Sequence, residues 1–172
     1  MPHESLKIGV LEMSKKKEFI LYSLVIAVSV ILDQATKLLA VEFLKPIPTK
    51  PIIEGVIHLT YHENRGAAFG MLADQRWIFL SVSTVMIIGL LIYLFMGKCE
   101  NLLYGVSVSM IIGGGIGNMI DRLAAGYVVD FIDFRLINFA IFNGADSFVC
   151  VGAGLLVLAL ILDIIKEGKT AK

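Results

Sequence analysis

The chain has 172 residues, 15 basic and 15 acidic side chains, and a mean hydropathy of +0.82. This length fits one domain, and the hydropathy is too high for an ordinary soluble protein, so a membrane is the expected solvent. The zero net charge and the lack of a basic stripe argue against a nucleic-acid partner. The two cysteines have no CxxC or zinc spacing, and they are too few for a disulfide scaffold.

Four segments predict membrane-spanning helices, because about 20 mostly apolar residues cross the hydrocarbon. The clearest is uncharged and has aromatic residues near both ends, as interfacial anchors do. The predicted helices are about 18–40, 77–96, 102–122 and 143–165, with loops 41–76 and 123–142 between them on the outer side. We interpret 1–172 as a single integral membrane domain. A cleaved secretory signal at the N-terminus is an alternative, but no small-x-small cleavage site follows Leu32.

The distribution of Lys and Arg favours an orientation with both termini in the cytoplasm. Residues 1–18, 97–101 and 166–172 carry 8 basic side chains in 30 residues, whereas 41–76 and 121–145 carry 6 in 61. Cytoplasmic loops are enriched in these residues. The sequence therefore predicts an N-in, C-in membrane all-α protein with two outer loops.

Two stretches in the outer loops have the composition of β-strands. VIHLTYHEN alternates β-branched and aromatic residues, with Pro46, Pro48 and Pro51 before it and Gly66 after it. VVDFIDF, residues 128–134, is also typical of a short strand. We expect a small sheet on the outer face of the membrane.

The unusual polar residues all map to this outer face when the helices alternate in direction. They are Asp33, Lys37, Asn64, Arg65, Asn118, Asp121, Arg122, Asp130, Asp133, Asn143 and Asp146. Ionisable residues in spanning segments indicate a functional site by default. The structural alternatives are an intrahelical salt bridge between Asp33 and Lys37, which are spaced i to i+4, and a helix-end cap with a snorkelling arginine at Asp121 and Arg122.

Several motifs that would indicate other chemistry are absent. GGGIGN lacks the third glycine of a phosphate loop, His62-Glu63 does not continue to HExxH, and no G-x-S-x-G occurs. We therefore expect no metal and no serine nucleophile. Small residues instead recur every four positions at Gly105, Ser109, Gly113 and Gly117, which predicts close helix packing.

The remaining candidates for chemistry are carboxylates at the membrane boundary. Two carboxylates held within a few ångström cannot both ionise cheaply, so such a pair shares a proton and can activate water for peptide hydrolysis. Asp130 and Asp146 are the leading pair. Asp133 competes with Asp130, since the two point to opposite faces of a strand and only one can face Asp146.

Five blocks together resemble the lipoprotein signal peptidases, also called type II signal peptidases. The blocks are DQATK (33–37), NRGAAFG (64–70), GNMIDR (117–122), VVDFIDF (128–134) and FNGADS (142–147), within a resemblance from about Lys16 to Ile165. The resemblance implies four transmembrane helices with a small extracytoplasmic β-cradle. It also implies an aspartyl endopeptidase that cuts before the diacylglyceryl-modified cysteine of a prolipoprotein.

The resemblance assigns the catalytic pair to Asp130 and Asp146. It assigns supporting roles to Asp33, Lys37, Asn64, Gly114, Asn118, Asp121, Arg122, Asn143 and Ala145. We add Arg65, which with Asn64 is expected to bind substrate main chain or to close over it. Asp133 is interpreted as a structural acid, and the leader before Met13 is longer than expected, so that Met13 is an alternative start.

The expected partners are diacylglyceryl-modified prolipoproteins and membrane lipid, with no cofactor, and we expect a monomer in the bacterial cell membrane with its active site near the outer face.

Two other functions fit the acids or the glycines less well. A proton-coupled transporter would place its acids near the bilayer midplane, often with internal repeats. A noncatalytic assembly subunit would not explain why acids converge on one face.

Overall fold

The computed structural model of the protein describes residues 14–66, 75–97, 99 and 101–170. In chain order its elements are α1 (Lys15–Leu44), β1 (Lys50–Ile53), β2 (Ile57–Asn64), α2 (Arg76–Phe95), α3 (Leu102–Ala124), β3 (Val128–Phe134) and α4 (Gly144–Thr170), with a 3-10 turn at Arg135–Ile137. The alternative start at Met13 and the NRGAAFG block from residue 67 onward lie outside the described residues.

The four predicted helices are present, and each is long and apolar enough to cross a membrane. α1 and α4 extend further than their apolar runs, with α1 starting among the lysines at Lys15 and α4 continuing to Thr170. A helix satisfies its own backbone hydrogen bonds in water as well as in lipid, so it need not end where the hydrophobic segment ends.

α3 is the central helix and packs against each of the other three. Its small residues allow this, because a Cβ added at Gly105 would meet Tyr22 and one added at Gly113 would meet Ser29, both on α1. An apolar core of Tyr22, Ile87, Leu94, Val108 and Ile112 fills the space where α1, α2 and α3 meet. The predicted small-residue face of α3 is therefore a packing face.

A three-stranded antiparallel sheet, in the order β1-β2-β3, covers one end of the bundle. β3 coincides with VVDFIDF, and β2 lies within VIHLTYHEN, as predicted. The pairing of β2 with β3 shifts between Leu59 and His62, so that His62 opposes Asp130 and His58 opposes Asp133. This irregularity lies directly beside Asp130.

The sequence does not predict β1, because Pro51 is typical of a boundary of the strand region. Pro51 instead lies inside β1 and pairs with His58. Proline lacks the N–H that a central strand needs, but an edge strand tolerates it, and β1 is an edge of this sheet.

The segment before α4 is tied to the sheet. Phe142 forms an isolated antiparallel bridge with Ile132, donating its N–H to Ile132 O at 3.1 Å and accepting from Ile132 N at 2.8 Å. α4 begins two residues later. The start of α4 is thus fixed against β3, which carries Asp130.

Candidate active site

A cavity of about 570 Å³ lies where the sheet meets α2, α3 and α4. Its polar lining includes Asn64, Asn118, Arg122, Asp130 and Asp146. Its apolar lining includes Phe79 of α2 and the segment 139–142. The two acids singled out from the sequence therefore face the same space.

Asp130 is held on β3 by two side-chain amides. Asn64 Nδ2 donates to its Oδ2 at 2.9 Å, and Asn143 Nδ2 donates to its Oδ1 at 2.6 Å. The side chain is almost fully buried, with the residue 1% exposed. Neighbouring residues on a strand alternate between faces, so Val128 and Asp130 share the cavity.

The environment of Asp130 favours a neutral carboxyl group. Burial raises its pKa to about 6, and the negative charge of Asp146 adds to the increase, while the hydrogen bonds from Asn64 and Asn143 oppose it. A carboxyl group in an apolar setting beside a second acid retains its proton to higher pH. This is the behaviour expected of one member of a proton-sharing pair.

Asp146 lies in the first turn of α4, where its position is fixed from two sides. Asn118 Nδ2 of α3 donates to its Oδ1 at 2.8 Å, and the backbone N–H of Asn143 donates to its Oδ2 at 3.2 Å. Asn143 thus contacts both acids, because its side chain also reaches Asp130. One buried residue therefore links the two carboxylates, through its side-chain amide to Asp130 and through its backbone N–H to Asp146.

Behind the cavity lies a buried ion triad. Lys37 Nζ is 2.8 Å from Asp33 Oδ2 on its own helix and 3.0 Å from Asp121 Oδ2 on α3. The same ammonium group donates to Asn118 Oδ1 at 2.9 Å. The intrahelical pair predicted from the i to i+4 spacing is present, and α3 adds a third charge that the spacing could not predict.

Gly114 and Ala145 bring α3 and α4 into close contact. A Cβ added at Gly114 would collide with the carbonyl oxygen of Ala145, and Ala145 itself is fully buried. The backbone N–H of Ala145 donates to Asp33 Oδ1 at 2.7 Å. Both residues act through backbone proximity, and neither contributes a functional side-chain group.

The two arginines of the predicted set have different surroundings. Arg122 lines the cavity, donates through Nη2 to Gly66 O at 3.2 Å and stacks on Phe79 at 5.0 Å. Arg65 is exposed, with an ion pair to Glu63 at 3.5 Å and a contact with the Tyr127 ring at 5.5 Å. The structure therefore does not bring Arg65 to the acids, because it lies just past the end of β2 and turns outward.

Asp133 belongs to a separate polar network on the sheet. Thr60 Oγ1 donates to Asp133 Oδ2 at 2.8 Å, and Arg135 Nε donates to the same oxygen at 2.9 Å. Burial alone would raise the pKa of Asp133, but these two donors outweigh it and hold the pKa below its usual value. Asp133 does not line the cavity that contains Asp130 and Asp146.

Sequence reasoning missed Gln34 as a member of the site. Its Nε2 donates to Asp121 Oδ1 at 3.0 Å and lies 3.2 Å from both Asp33 Oδ2 and Gly117 O. The sequence does contain a signal for Gln34. Its polar amide lies next to Asp33 in an otherwise apolar helix, and in lipid such an amide needs a hydrogen-bond partner.

No group of three metal-ligating side chains converges within the described part of the chain. His58 is buried in the sheet, where its Nε2 accepts a hydrogen bond from the Gly55 N–H at 3.1 Å. That nitrogen is occupied by a backbone donor. His58 thus has a structural role beneath the 54–57 turn.

The sequence pattern of the family described as Signal peptidase (SPase) II matches residues 25–162. The chain belongs to the signal peptidase II family. The matched region contains all the residues of the cavity and of the ion triad, from Asp33 to Cys150.

Relatives in this family are similar over most of their length. The lipoprotein signal peptidase of Caldanaerobacter subterraneus is 52% identical over 132 residues, which cover 77% of this chain and 90% of the relative. The lipoprotein signal peptidase of Brevibacillus brevis is 44% identical over 142 residues, which cover 83% and 95%. Among solved structures, a bacterial membrane enzyme determined by the in meso method at 2.3 Å resolution superimposes with a TM-score of 0.77. It is 34% identical, with 83% of this chain and 88% of that chain covered.

Proposed function

We propose that the protein is a membrane aspartyl endopeptidase that removes the signal peptide from diacylglyceryl-modified prolipoproteins, cutting N-terminal to the lipidated cysteine. The observation that carries the proposal is the joint contact of Asn143 with Asp130 and Asp146 at one cavity. The family and the names of the relatives agree with this substrate class. No cofactor is needed for the reaction.

The chemistry follows from a pair that holds one proton. The ionised carboxylate accepts a proton from water as the oxygen attacks the scissile carbonyl carbon, while the protonated carboxyl group donates to the carbonyl oxygen. The C–N bond then breaks as the nitrogen takes a proton from one acid and a hydroxyl group of the tetrahedral gem-diol returns a proton to the other, and the products are a new carboxyl end and a free amine. The pair titrates as a unit and ends the cycle with one proton.

The surroundings support the two acids in this role. Asn64, Asn118 and Asn143 supply neutral donors that hold the carboxylates without adding charge. Arg122 supplies the positive charge at the wall of the cavity, where it can hold a substrate carbonyl. Lys37 lies behind the cavity and acts on the pair through its hydrogen bond to Asn118.

The chain is proposed to be a single multi-pass domain and a monomer, with both termini in the cytoplasm and the sheet acting as a cradle on the outer face of the cell membrane. Phe79 and Ser83 of α2 and Ser147 and Cys150 of α4 line the cavity. A signal helix in the membrane can reach the acids between these two helices. The acyl chains of a lipidated cysteine stay in the outer leaflet, so the bond to be cut lies at the same depth as the two acids.

The decisive experiment is cleavage of lipidated and unlipidated precursor by purified variants in detergent. Asp130→Asn and Asp146→Asn should abolish cleavage while the protein still inserts and folds. Asp163→Asn is a matched control, because Asp163 lies on the same helix as Asp146, beside Lys166, and does not line the cavity. Near-normal turnover by either site variant would remove the pair from the mechanism, and equal cleavage of both precursors would remove the lipid from the substrate class.

Asp133→Asn tests the choice between the two acids of β3. Because Asp133 contacts Thr60 and Arg135, we expect a lower melting temperature with activity retained in the folded fraction. Loss of catalysis in a protein with wild-type stability would show that Asp133 is the partner of Asp146.

A further inference from the structure

The residue that precedes each proposed catalytic acid is held by a carboxylate from elsewhere in the bundle. Val129, before Asp130, donates its N–H to Asp121 Oδ2 at 3.1 Å. Ala145, before Asp146, donates its N–H to Asp33 Oδ1 at 2.7 Å. A displacement of either carboxylate would move the backbone beside the corresponding acid.

These two carboxylates are joined to each other by two residues of α1. Lys37 Nζ contacts Asp33 Oδ2 and Asp121 Oδ2 at 2.8 and 3.0 Å. Gln34 Nε2 makes a second connection, at 3.2 Å to Asp33 Oδ2 and 3.0 Å to Asp121 Oδ1. A continuous path therefore runs from Asp130 through Asp121 and Asp33 to Asp146.

We propose that Gln34 is a positioning residue, which together with Lys37 sets the separation of Asp130 and Asp146. The inference rests on the proposed function, since it takes these two acids as the reacting pair. It assigns a role in the reaction to a residue that does not line the cavity.

The amide of Gln34 is suited to this task. The Lys37 ammonium is nearly spherical and attracts both carboxylates without fixing their orientation, whereas an amide N–H is directional. Gln34 also reaches Gly117 O at 3.2 Å, which anchors it to the backbone of α3. Reaction rates respond strongly to such geometry, because a misplacement of about 1 Å can cost about 100-fold.

The test compares Gln34→Met, Gln34→Glu and a control on the same helix. Thr36→Val is the control, because Thr36 Oγ1 donates within its own helix, to the α1 carbonyls of Leu32 and Asp33. We expect Gln34→Met to lower kcat by about 10- to 100-fold with KM within about twofold, and Thr36→Val to keep the wild-type kcat. A wild-type kcat for Gln34→Met would overturn the proposal.

Gln34→Glu tests whether Gln34 positions the two acids or only fills space between the helices. It preserves volume but replaces the donor with a charge that repels Asp33 and Asp121. We expect a larger loss of kcat than in Gln34→Met at neutral pH, with partial recovery relative to the wild type as the pH falls and the new acid gains a donor proton. Two results together would assign Gln34 to packing alone. Gln34→Glu would have a normal kcat, and the kcat of Gln34→Met would fall only in proportion to its folded fraction.

A spectroscopic titration distinguishes failure of this inference from failure of the proposed function. In Asp-labelled protein, the carboxyl ¹³C signal of Asp130 is assigned by its absence in Asp130→Asn. If Gln34→Met separates the acids, the pKa of Asp130 decreases, because the effect of Asp146 weakens. A wild-type protein that does not cleave the precursor, combined with this decrease, refutes the function and supports the positioning role. An unchanged pKa of Asp130 refutes the positioning role.

Discussion

Asn143 and Asp146 form a reciprocal pair at the start of α4. The backbone N–H of Asp146 donates to Asn143 Oδ1 at 3.0 Å, and the backbone N–H of Asn143 donates to Asp146 Oδ2 at 3.2 Å. This is the geometry of a capping box, in which the cap residue and the third helical residue satisfy each other's backbone. Asp146 is thus part of the helix start as well as of the cavity.

Replacing Asn143 with alanine should damage stability moderately and activity severely. The loss of a helix cap costs about 1 kcal/mol, whereas the loss of the Nδ2 donor leaves Asp130 without its contact at 2.6 Å. Asn101→Ala is the matched control, since Asn101 caps α3 by accepting from the Tyr104 N–H at 3.2 Å. We expect similar melting temperatures for both variants and loss of cleavage in Asn143→Ala alone. Equal activities would show that Asn143 is only a cap.

The pH dependence of cleavage should have an alkaline limb. The pKa of Asp130 is raised to about 6, so its proton persists to that pH and is lost as the pH rises further. Since the reaction needs one proton on the pair, kcat/KM should fall about tenfold per pH unit once the pH exceeds this pKa. A pH–rate profile with lipidated precursor measures it. A profile that is flat from pH 5 to 8 would contradict the shared proton.

Lys37→Met should strongly destabilise the protein. The lysine is 3% exposed, and its removal leaves Asp33 and Asp121 as buried carboxylates without a cation, which costs about 3–5 kcal/mol. Lys45→Met is the control, because its ion pair with Glu63 is exposed and such pairs contribute about 0–1 kcal/mol. Reversible unfolding in detergent measures both. Equal losses of stability would show that the triad contributes no more than a surface pair.

Gly114→Ala should separate α3 from α4. The added methyl group would collide with Ala145 O, and overpacking of this kind costs about 1–3 kcal/mol. Because Ala145 directly precedes Asp146, we expect activity to fall further than stability alone explains. Gly154→Ala, also at a helical glycine, is the control, since within the described residues the added Cβ would meet nothing within 4 Å beyond its own stretch of helix. Wild-type activity in Gly114→Ala would show that the spacing of α3 and α4 does not control the site.

Much of this architecture was predictable from the sequence because lipid imposes strict rules. Long apolar runs predict the helices, and a polar residue in such a run needs a partner, so the location of Asp33, Lys37 and Asn118 at one end followed from depth alone. The strand at 128–134 followed from its composition. These predictions depend on local pattern, which a single sequence contains.

The residues that were missed depend on contacts between distant segments. Gln34 acts through α3, and β1 exists because β2 offers a partner at the edge of the sheet. Asn64 contacts Asp130 whereas Arg65 pairs with Glu63, because the end of β2 directs the two side chains differently, and the expected contact of Arg65 with substrate remains a prediction. Neither the partner of an amide nor the direction of a side chain after a strand can be inferred from spacing.

The position of Lys37 one turn after Asp33 has a consequence for biogenesis. α1 is the first helix in the chain, whereas another partner of Asp33, the N–H of Ala145, is 112 residues further along. The Lys37 ammonium and the Asp33 carboxylate lie on the same helix, 2.8 Å apart in the folded protein, so their pairing needs no later segment of the chain. The first helix can therefore insert as an electrically balanced segment, and the later helices assemble around a charge pair already in place.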